Sequence, residues 1–368
     1  MRQAEKNVWP LLHSWHAFHK IAQPNNPTLD RFNEEAFRRR LTEAKKNPVL
    51  MDGCPSWLEK LGSEQLGDAW PAERAALAWM PKRYLRVNTL KCTRDELQAI
   101  LAKEHVTTIP VDGVDTALQV TSDAALFRTK AFADGCFEQQ DAGSQLVAAA
   151  LEVTPGMRVI DACAGAGGKT LAIGATMRST GRLYAFDVSA HRLDALKPRM
   201  ARSGLSNVHP AAIAHERDDR VKRLSGKIDR VLVDAPCSGL GTLRRNPDLK
   251  WRQKPQAVQE LTEKQQAILQ SASRMVKSGG RLVYATCSVL PEENELIAQA
   301  FSAANPDFVP LNVAQELDRL KVPHAASLCS PAPSGDAHPD APPAGTFLRL
   351  WPHRHATDGF FAAAWVKK

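Results

Sequence analysis

The chain has 368 residues, 43% hydrophobic and 24% charged, which reads as a globular protein long enough for two or three domains. Its net charge of +8 favours a polyanionic partner through phosphate neutralisation, a bias that many unrelated basic proteins share. The N-terminus lacks the apolar core of a signal peptide, no apolar run reaches the ~18 residues of a membrane span, and the 7 cysteines show no C-x-x-C or Cys/His cluster, so no membrane span, disulfide framework or structural metal site is suggested and a cytoplasmic location is expected.

Residues 1–80 read as helical. From Leu29 to Ala44, Phe32, Ala36, Phe37, Leu41 and Ala44 recur at near-helical spacing beside Arg38, Arg39, Arg40, Lys45 and Lys46. That cluster is either a solvated basic face or a contact for phosphates. Tyr84 to Thr89 alternates as a short strand. Thr93 with Glu96 makes a capping box for a following helix. Short strands are predicted around Val106 to Ile109, Leu118 to Val120 and Cys136 to Gln139, so residues 81–140 form a small α+β module.

From Asp141 onward (residues 141–368) apolar strands alternate with helices. Ser144 to Leu151 reads as a helix. Met157 to Ala162, Leu183 to Asp187, Val231 to Asp234 and Arg281 to Thr286 read as strands, with helices at Ala190 to Arg202 and Gln256 to Val276 between them. This alternation predicts an α/β fold with a parallel sheet covered on both faces. The stretch 330–345 is rich in proline and reads as a mobile insertion. A hairpin-like pair, Phe347 to Leu350 and Phe360 to Val366, is expected at the sheet edge.

Cys163-Ala164-Gly165-Ala166-Gly167-Gly168-Lys169-Thr170 follows a strand and opens a helix. Glycines there let the backbone turn sharply and approach a ligand over the helix N-terminus. A P-loop for nucleoside triphosphates would need glycine where Cys163 stands. A nucleoside site needs an acid at the end of the next strand for the ribose hydroxyls, and Asp187 closes that strand. An adenosyl ligand is therefore favoured over a nucleotide phosphate, with a structural glycine turn as the plain alternative.

Asp234-Ala235-Pro236-Cys237-Ser238 and Thr286-Cys287-Ser288 each follow an apolar strand. In an open parallel sheet such ends form the rim where ligands bind, beside the glycine loop and Asp187. Most free cysteines are merely small buried hydrophobes, but two at separate strand ends, one beside an aspartate, fit a particular chemistry. Carbon-5 of cytosine is a poor nucleophile until a thiolate adds to carbon-6. An acid near N3 stabilises the developing charge, and a second thiol can assist elimination. Asp234, Cys237 and Cys287 fit these three roles.

The motifs DACAGAGGKT, DAPCSGLGTLRRNPDLKW and LVYATCSVLPEEN resemble those of the RsmB-type bacterial RNA cytosine-C5 methyltransferases, within the wider Nop/Sun (NSUN) group. LRVNTLK, FEQQDAGSQ and DGFFAAAWVKK are similar too, so the resemblance runs from about Leu85 to the C-terminus. It implies a Rossmann-like class I methyltransferase sheet and S-adenosylmethionine as cofactor. It further implies that Cys287 attacks, that Cys237 aids release, that residues 163–169 and Asp187 hold the cofactor, and that Asp234 sits beside its methyl group and the base. By the same resemblance the substrate is small-subunit ribosomal RNA, with transfer RNA as the alternative. Two departures stand out. The acidic residue for the adenine falls on His215 by direct count, with Glu216 or Asp218 available if the loop shifts. The NusB-like N-terminal domain of such enzymes is shortened or replaced within residues 1–80.

Basic residues cluster at Arg217, Arg220, Lys222, Arg223 and Lys227, and again at Arg244, Arg245, Lys250, Arg252 and Lys254 around Trp251. Arg244, Arg245, Lys250 and Trp251 are the expected RNA contacts, holding an unpaired cytosine by phosphate contacts and stacking; a loop anchor is the plain reading of Trp251. No metal is expected, and a monomer is. The rival classes are a non-catalytic RNA-binding ribosome-assembly factor and a P-loop NTPase.

Overall fold

Strands from Arg158 onward are apolar at consecutive positions, a pattern that only a sheet covered on both faces can bury. The computed structural model, which describes residues 16–18, 20, 33–331 and 342–368, contains such a sheet. Two compact units divide the chain at Glu59. In the first, the helix Glu34–Ala44 is capped by Asn33, Arg38 pairs with Glu34 at 2.6 Å, and none of its residues is buried. Its expected start at Leu29 lies outside the described residues, as does the core of the proline-rich stretch, residues 332–341.

In the second unit, the helix Trp70–Ala78 leads into a four-stranded antiparallel sheet. Its strands are β1 (Arg83–Val87), β2 (Thr108–Pro110), β3 (Ala117–Val120) and β4 (Phe137–Gln139), in the order β2-β3-β1-β4. The helix Arg94–Lys103 carries the capping box anticipated at Thr93 and Glu96. Its Leu97 and Leu101 are buried with Leu85, Leu118 and Phe137 in one cluster. β4 lies at the edge of this sheet, and the chain leaves it directly into the helix Ala142–Ala150.

The large sheet comprises β5 (Arg158–Asp161), β6 (Arg182–Asp187), β7 (Val208–Ala212), β8 (Ile228–Asp234), β9 (Val276–Thr286), β10 (Phe308–Pro310), β11 (Leu348–Leu350) and β12 (Phe360–Lys367). Its order is β10-β12-β9-β8-β5-β6-β7, with β11 also on β12. β5 to β9 pair in parallel, whereas β10, β11 and β12 run antiparallel. Val159, Leu232, Val283 and Ala285 enter the core on one face, and Ile160, Val231, Val233, Leu282 and Tyr284 the core on the other. The fold is thus the Rossmann-like α/β sheet preceded by a small α+β module.

Two details differ from the sequence reading. The helix expected to reach Val276 spans Pro255–Ser273, and Val276 already belongs to β9. β9 starts early because it passes through Gly279, at φ 71°, with a register irregularity opposite β8. The C-terminal strand β12 is not an edge: β9 pairs with it on one side and β10 and β11 on the other, so its residues 360–365 are buried.

Candidate active site

The strand order reverses between β5 and β8, so a crevice opens there beyond the carboxyl ends. Four neighbouring strands end at Asp187, Asp161, Asp234 and Thr286. A cavity of about 700 Å³ lies over them, lined by Cys163 to Ala166, Gly168, Lys169, Asp187, Asp234, Cys237 and Cys287. Of the loop residues expected to hold a cofactor, Gly167 does not line it. Its φ of 85° starts the helix Gly168–Thr176, and a Cβ there would fall 2.1 Å from Leu196 Cδ1. Glycine is needed here for the turn and for packing against the helix Ala190–Ser203.

The two thiols meet. Cys237 Sγ and Cys287 Sγ are 3.4 Å apart. The hydrogen bond to Cys287, then burial and the nearby charges of Cys287 and Glu293, push the Cys237 thiol well above its usual range, which keeps it protonated. Backbone geometry ties the two loops together as well. Gly241 N–H donates to the Cys287 carbonyl at 2.9 Å, and a Cβ at Gly241 would meet that oxygen at 2.7 Å.

One carboxylate fixes both cysteine loops from behind. Glu293 is wholly buried and accepts from the Ser238 amide at 2.7 Å, from the Ser238 and Ser288 hydroxyls, and from Gln265 Nε2 at 3.0 Å. Each serine directly follows one of the cysteines, so a single anion sets the spacing of both thiols. Asn294 reinforces this by donating to the Ser288 carbonyl at 2.9 Å. The sequence reading gave Glu293 no role. Nothing local distinguishes it from the exposed carboxylates usual after a loop, because its partners come from three separate segments.

Lys169, buried, and Asp234, half-buried, form an ion pair at 2.7 Å, with the ammonium 5.5 Å from the Phe360 ring. Burial alone would lower the lysine, but the charge and hydrogen bond of Asp234, with Cys287 and Asp161, outweigh it and hold the ammonium above its usual range. Thr170 Oγ1 donates to Asp161 Oδ2 at 2.7 Å. The lysine and threonine that a phosphate-binding loop would turn to its ligand are therefore spent on carboxylates, which removes the P-loop reading. Burial, tempered by Thr170, pushes Asp161 up to about 7.

At the other end of the cavity Asp187 is held by two backbone amides, from Gly165 at 2.8 Å and Ser189 at 2.7 Å. Of the three acid candidates nearby, only Glu216 lines the cavity, with Ile213 and Val221. His215 Nδ1 accepts from the Arg217 amide at 3.1 Å, and Asp218 accepts from the Ala214 and Arg220 amides at 3.0 and 2.9 Å. Both serve the local turn.

The two arginines expected to contact RNA are engaged by carboxylates. Arg244 is buried against Asp358 at 2.6 Å and the Ala356 carbonyl at 2.7 Å. Arg245 bridges Asp358 and Asp141, the latter at 2.8 Å. These guanidinium groups clamp the loop to the residues before β12 and to the start of the helix Ala142–Ala150, with both charges paired. Lys250 and Trp251 lie on the short helix Leu249–Arg252, away from the cavity lining, with Trp251 48% exposed.

A family model described as 16S rRNA methyltransferase RsmB/F matches residues 148–366, and one for an RsmF/B-like, ferredoxin-like domain matches residues 54–126. The chain is 35% identical to the probable ribosomal RNA small subunit methyltransferase B of Synechocystis sp., over 90% of this chain and 70% of that protein. It is 32% identical to the probable ribosomal RNA small subunit methyltransferase B of Bacillus subtilis, over 95% of this chain and 72% of that one. Among solved structures, a methyltransferase homolog protein from Pyrococcus horikoshii is similar with a TM-score of 0.71 and 27% identity, over 88% of this chain and 98% of that one. NSun6 from Pyrococcus horikoshii with SFG shares the fold, with a TM-score of 0.69 and 21% identity, over 85% of this chain and 98% of that one.

Proposed function

The chain belongs to the RsmB/F family of methyltransferases, and from that premise we propose that it methylates carbon-5 of an unpaired cytosine in small-subunit ribosomal RNA. The observation that carries this reading is the pair of thiols 3.4 Å apart at the ends of adjacent parallel strands, in one cavity with Asp234 and Asp187. A binding factor without chemistry would have no use for two thiols held so close by a buried anion.

The cavity lining suits an adenosyl sulfonium. Asp187 is placed for the ribose hydroxyls, Glu216 with Ile213 and Val221 for the adenine, and Asp234 lies at the thiol end. S-adenosylmethionine supplies the electrophilic methyl group when bound there. Cys287 Sγ adds to carbon-6 of the cytosine, forming a carbon–sulfur bond and making carbon-5 nucleophilic. Asp234, its charge balanced by Lys169, orients the base by accepting a hydrogen bond from the amino group beside N3. After methyl transfer the carbon-5 proton passes to a water molecule, the electron pair of that bond restores the ring's 5,6 double bond, and the bond to Cys287 breaks with its pair leaving on sulfur. Cys237, a protonated thiol beside Cys287, assists that release by donating a hydrogen bond to the sulfur as it departs.

On this reading residues 81–140 help hold RNA beside the catalytic part, 141–368, and the place of action is the cytoplasm. Among the described residues no helix is long and apolar enough to cross a membrane.

The test uses labelled S-adenosylmethionine and unmodified small-subunit ribosomal RNA. Label should appear in 5-methylcytosine, and Cys287→Ala should lower turnover by at least about 10⁴-fold, as removal of a nucleophile does. Cys237→Ala should accumulate a covalent protein–RNA adduct. An adduct that accumulates in Cys287→Ala instead would exchange the two roles, and no label in RNA would end the proposal.

A further inference from the structure

A second cleft, of about 550 Å³, adjoins the active-site cavity and shares Gln140, Ser144 and Phe360 with it. We propose that it is a subsite in which Phe127 stacks a nucleobase adjacent to the target cytosine. The inference rests on the methyl-transfer reading above and deepens it, by assigning a place to the RNA strand that leaves the active site.

Phe127 sits on a short turn, Leu126–Arg128, and is 61% exposed. A single exposed phenylalanine is ordinary on a protein surface; this one is braced. Its ring meets Phe132 at 5.0 Å, edge to face, and the Arg202 guanidinium lies 4.0 Å from the centroid of the Phe132 ring. Phe127 is thus held against a cation–aromatic stack while much of its own surface stays open. A rigid aromatic at the mouth of a cleft is what sequence-tolerant stacking of an unpaired base requires.

The charges of the wall argue for a base rather than a phosphate. Arg199 and Arg202 both pair with Glu138, and Arg245 pairs with Asp141 and Asp358. Each of those cations is already ion-paired within the wall, so the cleft offers a flat, uncharged ligand its aromatic surface. Gln139, exposed at the end of β4, adds an amide for a base edge. Arg128, exposed beside Phe127 in sequence, is suited to a flanking phosphate at the rim.

The test uses a single-stranded RNA with one 5-azacytidine, which holds the strand on Cys287 as a covalent adduct, and 2-aminopurine at the position before or after it. In the wild-type protein, adduct formation should quench 2-aminopurine at one of these positions, because stacking quenches its fluorescence. Phe127→Ala should abolish that quench and raise the RNA concentration for half-maximal adduct about tenfold. Cofactor affinity and melting temperature should stay unchanged, since the side chain is exposed. Phe127→Trp should keep the quench. Persistence of the quench in Phe127→Ala, or full affinity in Phe127→Leu, which keeps apolar bulk without a π face, would overturn the subsite and leave the methyl-transfer reading standing. If the wild type forms no adduct at all, the methyl-transfer reading fails and the subsite falls with it.

Discussion

Cys237 and Arg244 leave the same strand end on one loop, yet the thiol lines the active-site cavity while the guanidinium is buried between carboxylates. The difference lies in where their partners come from. The thiol's surroundings are built by the motifs themselves: Ser238, Ser288 and Glu293 lie within a few residues of one cysteine or the other. The partners of Arg244 and Arg245 are Asp141 and Asp358, from distant parts of the chain. A basic cluster therefore signals RNA only where its charges remain unpaired after folding. Two arginines beside a catalytic motif serve here as a clasp that joins three segments around the site.

The clasp should break with the largest effect on stability. Arg244 and Asp358 are both nearly inaccessible, so removing either partner strands a buried charge and costs about 3–5 kcal/mol. Asp358→Ala should lower the urea midpoint strongly, because it releases both arginines. Arg245→Ala, more exposed and with Arg244 left in place, should cost less. If Arg245→Ala weakens RNA binding and flattens its salt dependence while the urea midpoint stays fixed, the arginine contacts phosphate and the contrast with Cys237 disappears.

A smaller effect separates two aspartates at adjacent strand ends. Asp234 has Lys169 beside it, whereas Asp161 is buried with the Thr170 hydroxyl as its hydrogen-bond donor, and burial pushes it up to about 7. Its folded value lies above the ordinary 3.8, so the folded protein binds this proton more tightly than the unfolded chain. That contribution to stability is complete below about pH 4 and is lost as pH rises toward 7, by at most about 1.4 kcal/mol per unit. Asp161→Asn keeps the shape and the acceptor for Thr170 without the titration. Melting curves from pH 4 to 8 should fall less steeply for Asp161→Asn than for the wild type. Equal slopes would mean that Asp161 is ionised in the folded protein throughout, and that its pairing matches that of Asp234.

What the sequence made legible follows the same division. The parallel strands could be read because their apolar runs are continuous, and the glycine loop and both cysteines because each is tied to a strand end. Two strands escaped notice, β7 with Pro210 and β10 with Pro310. Both lie at the outer edges of the large sheet, where a missing N–H is tolerated. Proline argues against a strand only when the strand is central. The hairpin-like pattern puts β12 at an edge, but its run of buried alanines fits a strand with neighbours on both sides. In the site, each cysteine motif is legible locally, but the meeting of the two on Glu293, like the arginine clasp, depends on contacts between segments far apart in sequence, which no local pattern encodes.

The smallest expected effect concerns the far end of the cavity, where direct counting along the sequence pointed to His215 and the geometry favours Glu216. Glu216 lines the cavity, while His215 and Asp218 accept hydrogen bonds from their own loop. Replacing Glu216 with alanine removes one hydrogen-bonding group from the adenine end, so S-adenosylhomocysteine measured by calorimetry should bind about tenfold more weakly, the equivalent of about 1.4 kcal/mol. His215→Ala should leave that affinity unchanged. Asp218→Ala should loosen the turn, seen as faster amide exchange at Ala214 and Arg220, before it alters binding. The reverse pattern, with Asp218 governing affinity and Glu216 silent, would require the loop to close over the ligand by a turn rearrangement. The adenine end would then differ from the cysteine end in kind, one shaped by its ligand and the other already fixed by Glu293.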